Sequence, residues 1–156
     1  MGAYNFDKDL EEGHGGEEIV LKHVRAKYPK AHRVGGYFPD YDIIVPEVGT
    51  TLEVKYDVAV ERTGNYFIET EYNGKRCGID ATKADYWAEV DANSIIIMEI
   101  GALRHFLKGY DVVTLPPKKT SLGGKGYLVP RDALLYRAKM GDSWITLISR
   151  GGLRGE

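Results

Sequence analysis

Asp42 is followed, after ten intervening residues, by Glu53-Val54-Lys55, and these residue types at this spacing can carry hydrolytic chemistry. Side chains alternate along a strand, so in Thr50–Tyr56 (TTLEVKY) Glu53 and Lys55 share one face while Val54 points to the other. The run is otherwise apolar or β-branched, which predicts appreciable burial. A buried acid or lysine needs a reason, because isolated buried charge is costly. Asp42 opens a second apolar run, Ile43-Ile44-Val45, in the neighbouring strand of a hairpin. Two carboxylates converging at strand ends make a hard-oxygen site suited to Mg²⁺, which takes one or two carboxylates plus water and phosphate. A lysine beside them can orient a water or steady the charge developing on a phosphate. Read without chemistry, the same residues are a salt-bridged hairpin whose acids and lysine pair with each other.

The elements that must position these residues follow from periodicity. Val20, Leu21, Val24 and Tyr28 recur at helical spacing and Pro29 stops the run, which predicts a helix over about 16–28. Residues 1–14, acidic and punctuated by glycine, read as a loosely ordered lead-in. His32-Arg33-Val34 with Tyr37, then Tyr41–Val45, Thr50–Tyr56 and Asn65–Glu71, read as strands. Asp80 is expected to cap a helix through Ala88, and Ser94–Ile100, almost wholly apolar, a strand covered on both faces. A short helix at Leu103–Lys108, a polar loop over Pro116–Gly126, a strand Tyr127–Val129, a helix Arg131–Ala138 and a strand Trp144–Ile148 complete the chain. The order predicts one α/β domain over 1–156, with helices on both faces of a single mixed central sheet.

In this context Pro39-Asp40-Tyr41-Asp42 and Glu53-Val54-Lys55 resemble the motif lines of the PD-(D/E)XK nuclease superfamily, and the resemblance covers about residues 16–100. It implies a restriction-endonuclease-like fold, a mixed central β-sheet flanked by helices. By the same resemblance Asp42, at the edge of the apolar strand, takes the metal-binding role, with Asp40 of the literal Pro-Asp as the alternative. Glu53 would ligate through its carboxylate, Val54 through its backbone carbonyl, and Lys55 would serve the attacking water. Many members place an acid on the preceding helix, where Glu17 and Glu18 stand here. Glu17 has Val20, Leu21 and Val24 at +3, +4 and +7, whereas Glu18 has Leu21, Lys22 and Arg25, so the core-facing Glu17 is preferred. The segment from Thr63 to Trp87 resembles the layout of small phage-encoded nucleases, including Holliday-junction-resolvase-like members. In that layout an acid-bearing strand and a lysine-bearing helix border the site, which makes Glu69 and Lys83 second-tier candidates.

Composition bounds the partners. Of 156 residues 43% are apolar and 28% charged, close to a soluble globular average. The longest strongly apolar run is Ile95–Met98, far short of the ~20 residues a membrane helix needs, and Met1–Leu10 shows no secretory pattern. Cys77 is the one cysteine, so an internal disulfide is excluded and a cytoplasmic setting expected, that of the host cell if phage-encoded. The net charge of −2 hides an asymmetry: residues 103–156 hold ten of the 21 Lys/Arg but four of the 23 Asp/Glu. An acidic centre facing a basic flank suits a Mg²⁺ enzyme acting on DNA, because bound metal reverses the sign the phosphates meet. Lys118, Lys119 and Lys125, in the polar loop, are candidate phosphate contacts. Gly123-Gly124-Lys125-Gly126 lacks G-x-x-x-x-G-K-[ST], and His14, His23, His32 and His105 show no tight ligand spacing. Asp57, Glu61 and Glu71 read as surface charges, Tyr86 and Trp87 as packing residues.

The expected function is a Mg²⁺-dependent DNA endonuclease, with Mn²⁺ as a substitute metal, selective for branched or junction DNA and homodimeric where two strands are cut. An exonuclease or restriction-type endonuclease on the same core, or a catalytically silent DNA-binding module, are the alternatives.

Overall fold

The apolar stripe of Val20, Leu21 and Val24 is buried on a helix, α1 (Phe6–Arg25), in the computed structural model of the chain, which describes residues 6–35, 40–119 and 122–141. The helix begins ten residues before the periodic stretch, so the segment from Phe6 read as a lead-in is helical. Its packing partner is a five-stranded mixed sheet in the order β1 (His32–Arg33), β2 (Ile43–Val45), β3 (Thr50–Tyr56), β6 (Tyr86–Val90), β7 (Ile95–Glu99). The β2–β3 hairpin turns through a short 3₁₀ segment, Pro46–Val48, closed by Gly49 at φ 62°, and pairs Ile43 with Leu52. β3 and β6 run parallel; the other neighbours are antiparallel.

A second sheet, wholly antiparallel, has the order β5 (Lys75–Arg76), β4 (Asn65–Tyr72), β9 (Gly124–Pro130), β8 (Val112–Leu115). The single central sheet expected from the sequence is therefore two. A one-turn helix α2 (Val60–Thr63) leads from β3 to β4, and α3 (Ile100–Leu107) and α4 (Arg131–Met140) complete the helices of the described residues.

Two cores divide along β7. Ile95 and Ile97 join Val20, Leu21, Val24, Ile43, Leu52, Ala88 and Val90 against α1. Ile96 and Met98 join Tyr66, Ile68, Trp87, Leu103, Val129 and Leu134 between the sheets and under α3 and α4. The apolar run thus lies covered on both faces, as predicted. Each such side chain contributes about 1.5–3 kcal/mol on burial.

Other expectations shift. The helix predicted from Asp80 to Ala88 is a 3₁₀ turn, Gly78–Asp80, then coil, then strand β6, so Lys83 lies on a loop. Lys125 lies in strand β9, not in the polar loop, and β8 was not expected at all. The predicted strand Trp144–Ile148, together with Tyr37 and Pro39, falls outside the described residues. No helix of the described residues is long and apolar enough to cross a membrane.

Candidate active site

The hairpin register carries Asp42 to Glu53. One step beyond the Ile43–Leu52 pair, Asp42 stands opposite Glu53 on the face turned away from α1, its N–H donating to the Leu52 carbonyl at 2.9 Å. The Val54 N–H donates to Asp42 Oδ2 at 2.8 Å, so the acid at the head of β2 is tied to the strand that bears Glu53 and Lys55. Both acids are half-buried. Burial raises the Asp42 carboxyl above its ordinary range, against the opposing pull of the Val54 N–H and Lys55. Burial first, and then the charge of Asp42, push Glu53 up to about 8. Glu17 adds to that push, which brings the α1 acid into the same electrostatic cluster.

Glu17 reaches the cluster because α1 packs close to β3 at a glycine. A Cβ on Gly16 would meet the Tyr56 side chain at 3.0 Å, tighter than ordinary contact. The helix phase read from the sequence matches the burial: the Glu17 side chain is 20% exposed and that of Glu18 58%. Arg33 bridges the two, 3.7 Å from Glu17 and 3.3 Å from Glu18.

The loop before β6 closes one side. Thr82 Oγ1 lies 3.2 Å from both Glu53 Oε2 and the Asp40 carbonyl, and its single proton serves one of them at a time. Arg104 of α3 holds this loop by donating to the carbonyls of Ile79 (3.0 and 3.2 Å) and Thr82 (3.3 Å). Asp40 and Lys83 pair with each other at 3.9 Å, with the lysine 74% exposed. They stand at the rim, bound to one another.

Lys55 Nζ lies 3.3 Å from Glu69 Oε2, joining the first sheet to β4. Burial alone would lower the Lys55 ammonium, but the nearby Glu69 and Glu89 carboxylates together outweigh it and hold the lysine above its ordinary value. Gly78, at φ 53°, lets the 3₁₀ turn sit against Glu69; a Cβ there would run into the Glu69 carbonyl oxygen. Burial and then Glu69 push the neighbouring Cys77 thiol up to about 11, so it is protonated and inert at neutral pH. Lys118 and Lys119 are exposed, and Lys125 is 3.4 Å from Glu71.

No family model, no curated protein and no solved structure matches this chain.

Among the described residues no group of three or more His, Cys, Asp or Glu side chains is arranged to hold an ion. What the chain offers is a carboxylate pair, Asp42 and Glu53, with the Val54 carbonyl as a third oxygen and Glu17 within electrostatic reach. This donor set fits a hard cation such as Mg²⁺, which needs few protein ligands. The elevated Glu53 fits it too: two half-buried acids, for which burial and mutual repulsion outweigh the pull of Lys55, retain a proton that a divalent ion would replace.

Thr82 and Glu89 are absent from the residues singled out in the sequence, and Asp57 is named there only as a surface charge. Asp57, read as surface charge, is buried and accepts the N–H groups of Ala59 (3.1 Å) and Phe67 (3.0 Å), tying the end of β3 to β4. Glu89 is buried beside Lys55 on β6. Its signal is the alternation Trp87-Ala88-Glu89-Val90, an acid on one face of an apolar strand. Trp87 itself is 2% exposed and packs as expected.

Proposed function

We propose that the chain is a Mg²⁺-dependent nuclease, with Mn²⁺ as a substitute, that hydrolyses DNA phosphodiesters on a restriction-endonuclease-like core. One observation carries the proposal: Asp42 and Glu53 are held face to face at the end of the β2–β3 hairpin, where burial and then the charge of Asp42 push Glu53 up to about 8. The mixed sheet and the resemblance of Asp42 and Glu53-Val54-Lys55 to the PD-(D/E)XK motif support it.

Mg²⁺ held by Asp42, Glu53 and the Val54 carbonyl would supply Lewis-acid polarisation of the phosphate and a more acidic water. The remaining work falls to the chain. The Val54 N–H fixes Asp42, and Thr82, itself braced by Arg104, orients Glu53. Lys55, charged and on the same strand face as Glu53, orients the attacking water and steadies the charge that develops on phosphate. Glu17 completes the acidic cluster from α1. Lys118, Lys119 and Lys125 contact the DNA backbone. With one small domain, substrate choice falls to shape, as in branched or junction DNA, and a homodimer serves where two strands are cut.

The Lys55–Glu69 ion pair favours a second reading, a DNA-binding module in which these charges only pair. One panel separates them: purified protein with Mg²⁺, Mn²⁺ or EDTA on linear, nicked, single-stranded and four-way DNA. The nuclease gives metal-dependent products that EDTA and Glu53→Gln abolish. Binding without products in any metal establishes the silent module.

A further inference from the structure

The pairing registers of the second sheet run one row across all four strands: Lys75 of β5, Tyr72 of β4, Gly124 of β9 and Leu115 of β8. Directly paired residues share a face, so these four positions lie together. Alternation along β9 adds two more rows to that face, Glu69–Gly126–Val113 and the opposed pair Phe67–Leu128. The register shift between Glu69 and Glu71 is what brings Tyr72 into phase with Glu69 and Phe67. The opposite face carries Tyr66, Ile68 and Val129 into the core.

The outward face is aromatic, apolar and open. Tyr72 is 43% exposed, and Leu115 and Leu128 are each 44% exposed. Its floor is glycine. A Cβ on Gly126 would meet Cε2 and Cζ of Phe67 at 2.8 Å, and one on Gly124 would lie 3.8 Å from Cδ2 of Tyr72, so both rings lean over the β9 backbone. One end of the face is pinned. The Asn73 N–H donates to the Gly123 carbonyl at 3.1 Å and the Leu122 N–H to Asn73 Oδ1 at 2.8 Å, which ties the β4–β5 turn to the entry of β9.

Charge selects the occupant. Lys75 stands in the Tyr72 row, and Lys118 and Lys119 follow the end of β8, all three exposed. Among the strand residues of this face Glu69 is the one carboxylate, and Lys55 pairs with it at 3.3 Å. Aromatic rings over a glycine floor, with cations at the rim, suit a polyanion that carries planar bases. Such rings stack on bases that are free of a duplex, whose own bases are already stacked.

We propose that the outer face of the second sheet, with Tyr72 and Phe67 as its rings, is a stacking platform for an unpaired DNA strand, which it leads past Glu69 to Lys55 and the candidate metal site. The substrate class this names, branched DNA with an unpaired arm, rests on the nuclease function proposed above.

The test is fluorescence anisotropy of the full chain with a short oligothymidylate and with a blunt duplex, in EDTA so that nothing is cut. Tyr72→Ala should weaken single-strand binding by about tenfold and duplex binding by less than about twofold, while Tyr72→Phe, which keeps the ring, should stay within about twofold of wild type. Lys75→Ala should flatten the single-strand salt slope by about 0.7, and this exposed edge position decides the matter if Tyr72→Ala fails to fold. 5-Iodouracil placed in the oligomer should photo-crosslink to Tyr72. Equal losses on strand and duplex, tighter binding of oligouridylate than of oligothymidylate, or crosslinks confined to other faces would overturn the proposal. A concentration-dependent dimer that Tyr72→Ala dissolves would overturn it too, since the face then meets a second copy. A wild-type chain that cuts no DNA with any metal defeats the nuclease function, and the measurements in EDTA still decide the platform. Metal-dependent cutting without these strand-specific effects defeats the platform alone.

Discussion

The Val54 backbone N–H donates to the Asp42 carboxylate at 2.8 Å, so the two halves of the candidate metal site are joined before any metal arrives. A hydrogen bond to a charged acceptor contributes about 1.5–3 kcal/mol. The same carboxylate repels Glu53, and the two effects oppose each other in the metal-free protein.

That opposition distinguishes two substitutions at Asp42. Asn keeps an oxygen for the Val54 N–H and removes the repulsion, so Asp42→Asn should melt at or above the wild-type temperature while losing metal-dependent cleavage. Ala removes both, and Asp42→Ala should melt below Asp42→Asn, by about 1–3 kcal/mol of unfolding free energy. Denaturant titration of the two variants at pH 7 measures the difference. Equal stabilities would mean that the bond to Val54 does not hold the hairpin end.

Glu53 predicts a pH dependence. Its carboxyl rises from an ordinary value of 4.5 to about 8 in the folded chain. Between those values the folded state keeps a proton that the unfolded chain has lost, so metal-free stability falls as pH rises through that window. Glu89, also pushed up to about 8, acts in the same direction and leaves a residual slope. Glu53→Gln, neutral throughout, should therefore gain most over wild type near pH 8 and little near pH 5. Mg²⁺ should raise the wild-type Tm more at pH 8 than at pH 6, where protons compete for the pair, and should leave Glu53→Gln unmoved. Calorimetry across pH 5–8.5 with and without Mg²⁺ reads both; a gain independent of pH would remove Glu53 from the coupled pair.

Lys55 separates turnover from binding. Its amine is engaged with Glu69 and shares the strand face of Glu53, and the proposed function puts its work in the transition state. Lys55→Ala should lower kcat by at least about a hundredfold and shift the Kd for DNA by less than about threefold. A variant that binds weakly but turns over normally at saturating DNA makes Lys55 a substrate contact instead.

The two α1 acids share Arg33 but differ in burial, and Glu17 alone is among the charges that push Glu53 up. Glu17→Gln should raise the Mg²⁺ concentration needed for half-maximal cleavage severalfold, while Glu18→Gln leaves it unchanged. A metal titration of both variants checks the order, and the reverse order would shift the functional acid to the exposed face.

The hairpin acids are legible in the sequence because strand alternation and the apolar setting of Glu53 operate over a few residues. Glu17 is legible for the same local reason, the phase of Val20, Leu21 and Val24. What fails to read is what depends on distant pairing. Asp80 followed by Ala81-Thr82-Lys83-Ala84 imitates a capped helix, but β6 pairs in parallel with β3, and that contact overrides local propensity. Glu89, directly after the misassigned stretch, loses its strand phase with it. Val112–Leu115 is a short edge strand that is mostly exposed, so no buried-face alternation marks it. The second sheet, which needs β8 and β9 together, is hidden accordingly, and Lys125 is displaced from loop to strand.

That displacement changes what the three lysines should do on DNA. Each phosphate contact to duplex releases counterion, so log K should fall with log salt by about 0.9 per contact. Lys118 and Lys119 are exposed, with Lys118 three residues beyond β8, whereas Lys125 is anchored in β9 beside Glu71 at 3.4 Å. Replacing Lys118 and Lys119 together by alanine should flatten the salt slope by up to about 1.8, if both touch phosphate. Lys125→Ala should flatten it less, because its charge is already partly offset by Glu71. Glu71→Gln frees that charge and should tighten binding at low salt, an effect that Lys125→Ala cancels. Metal binding at Asp42 and Glu53 should be unaffected in all four variants. Fluorescence anisotropy of duplex DNA across a salt series measures the slopes, and an unchanged slope in the Lys118/Lys119 double variant would place the DNA on another face.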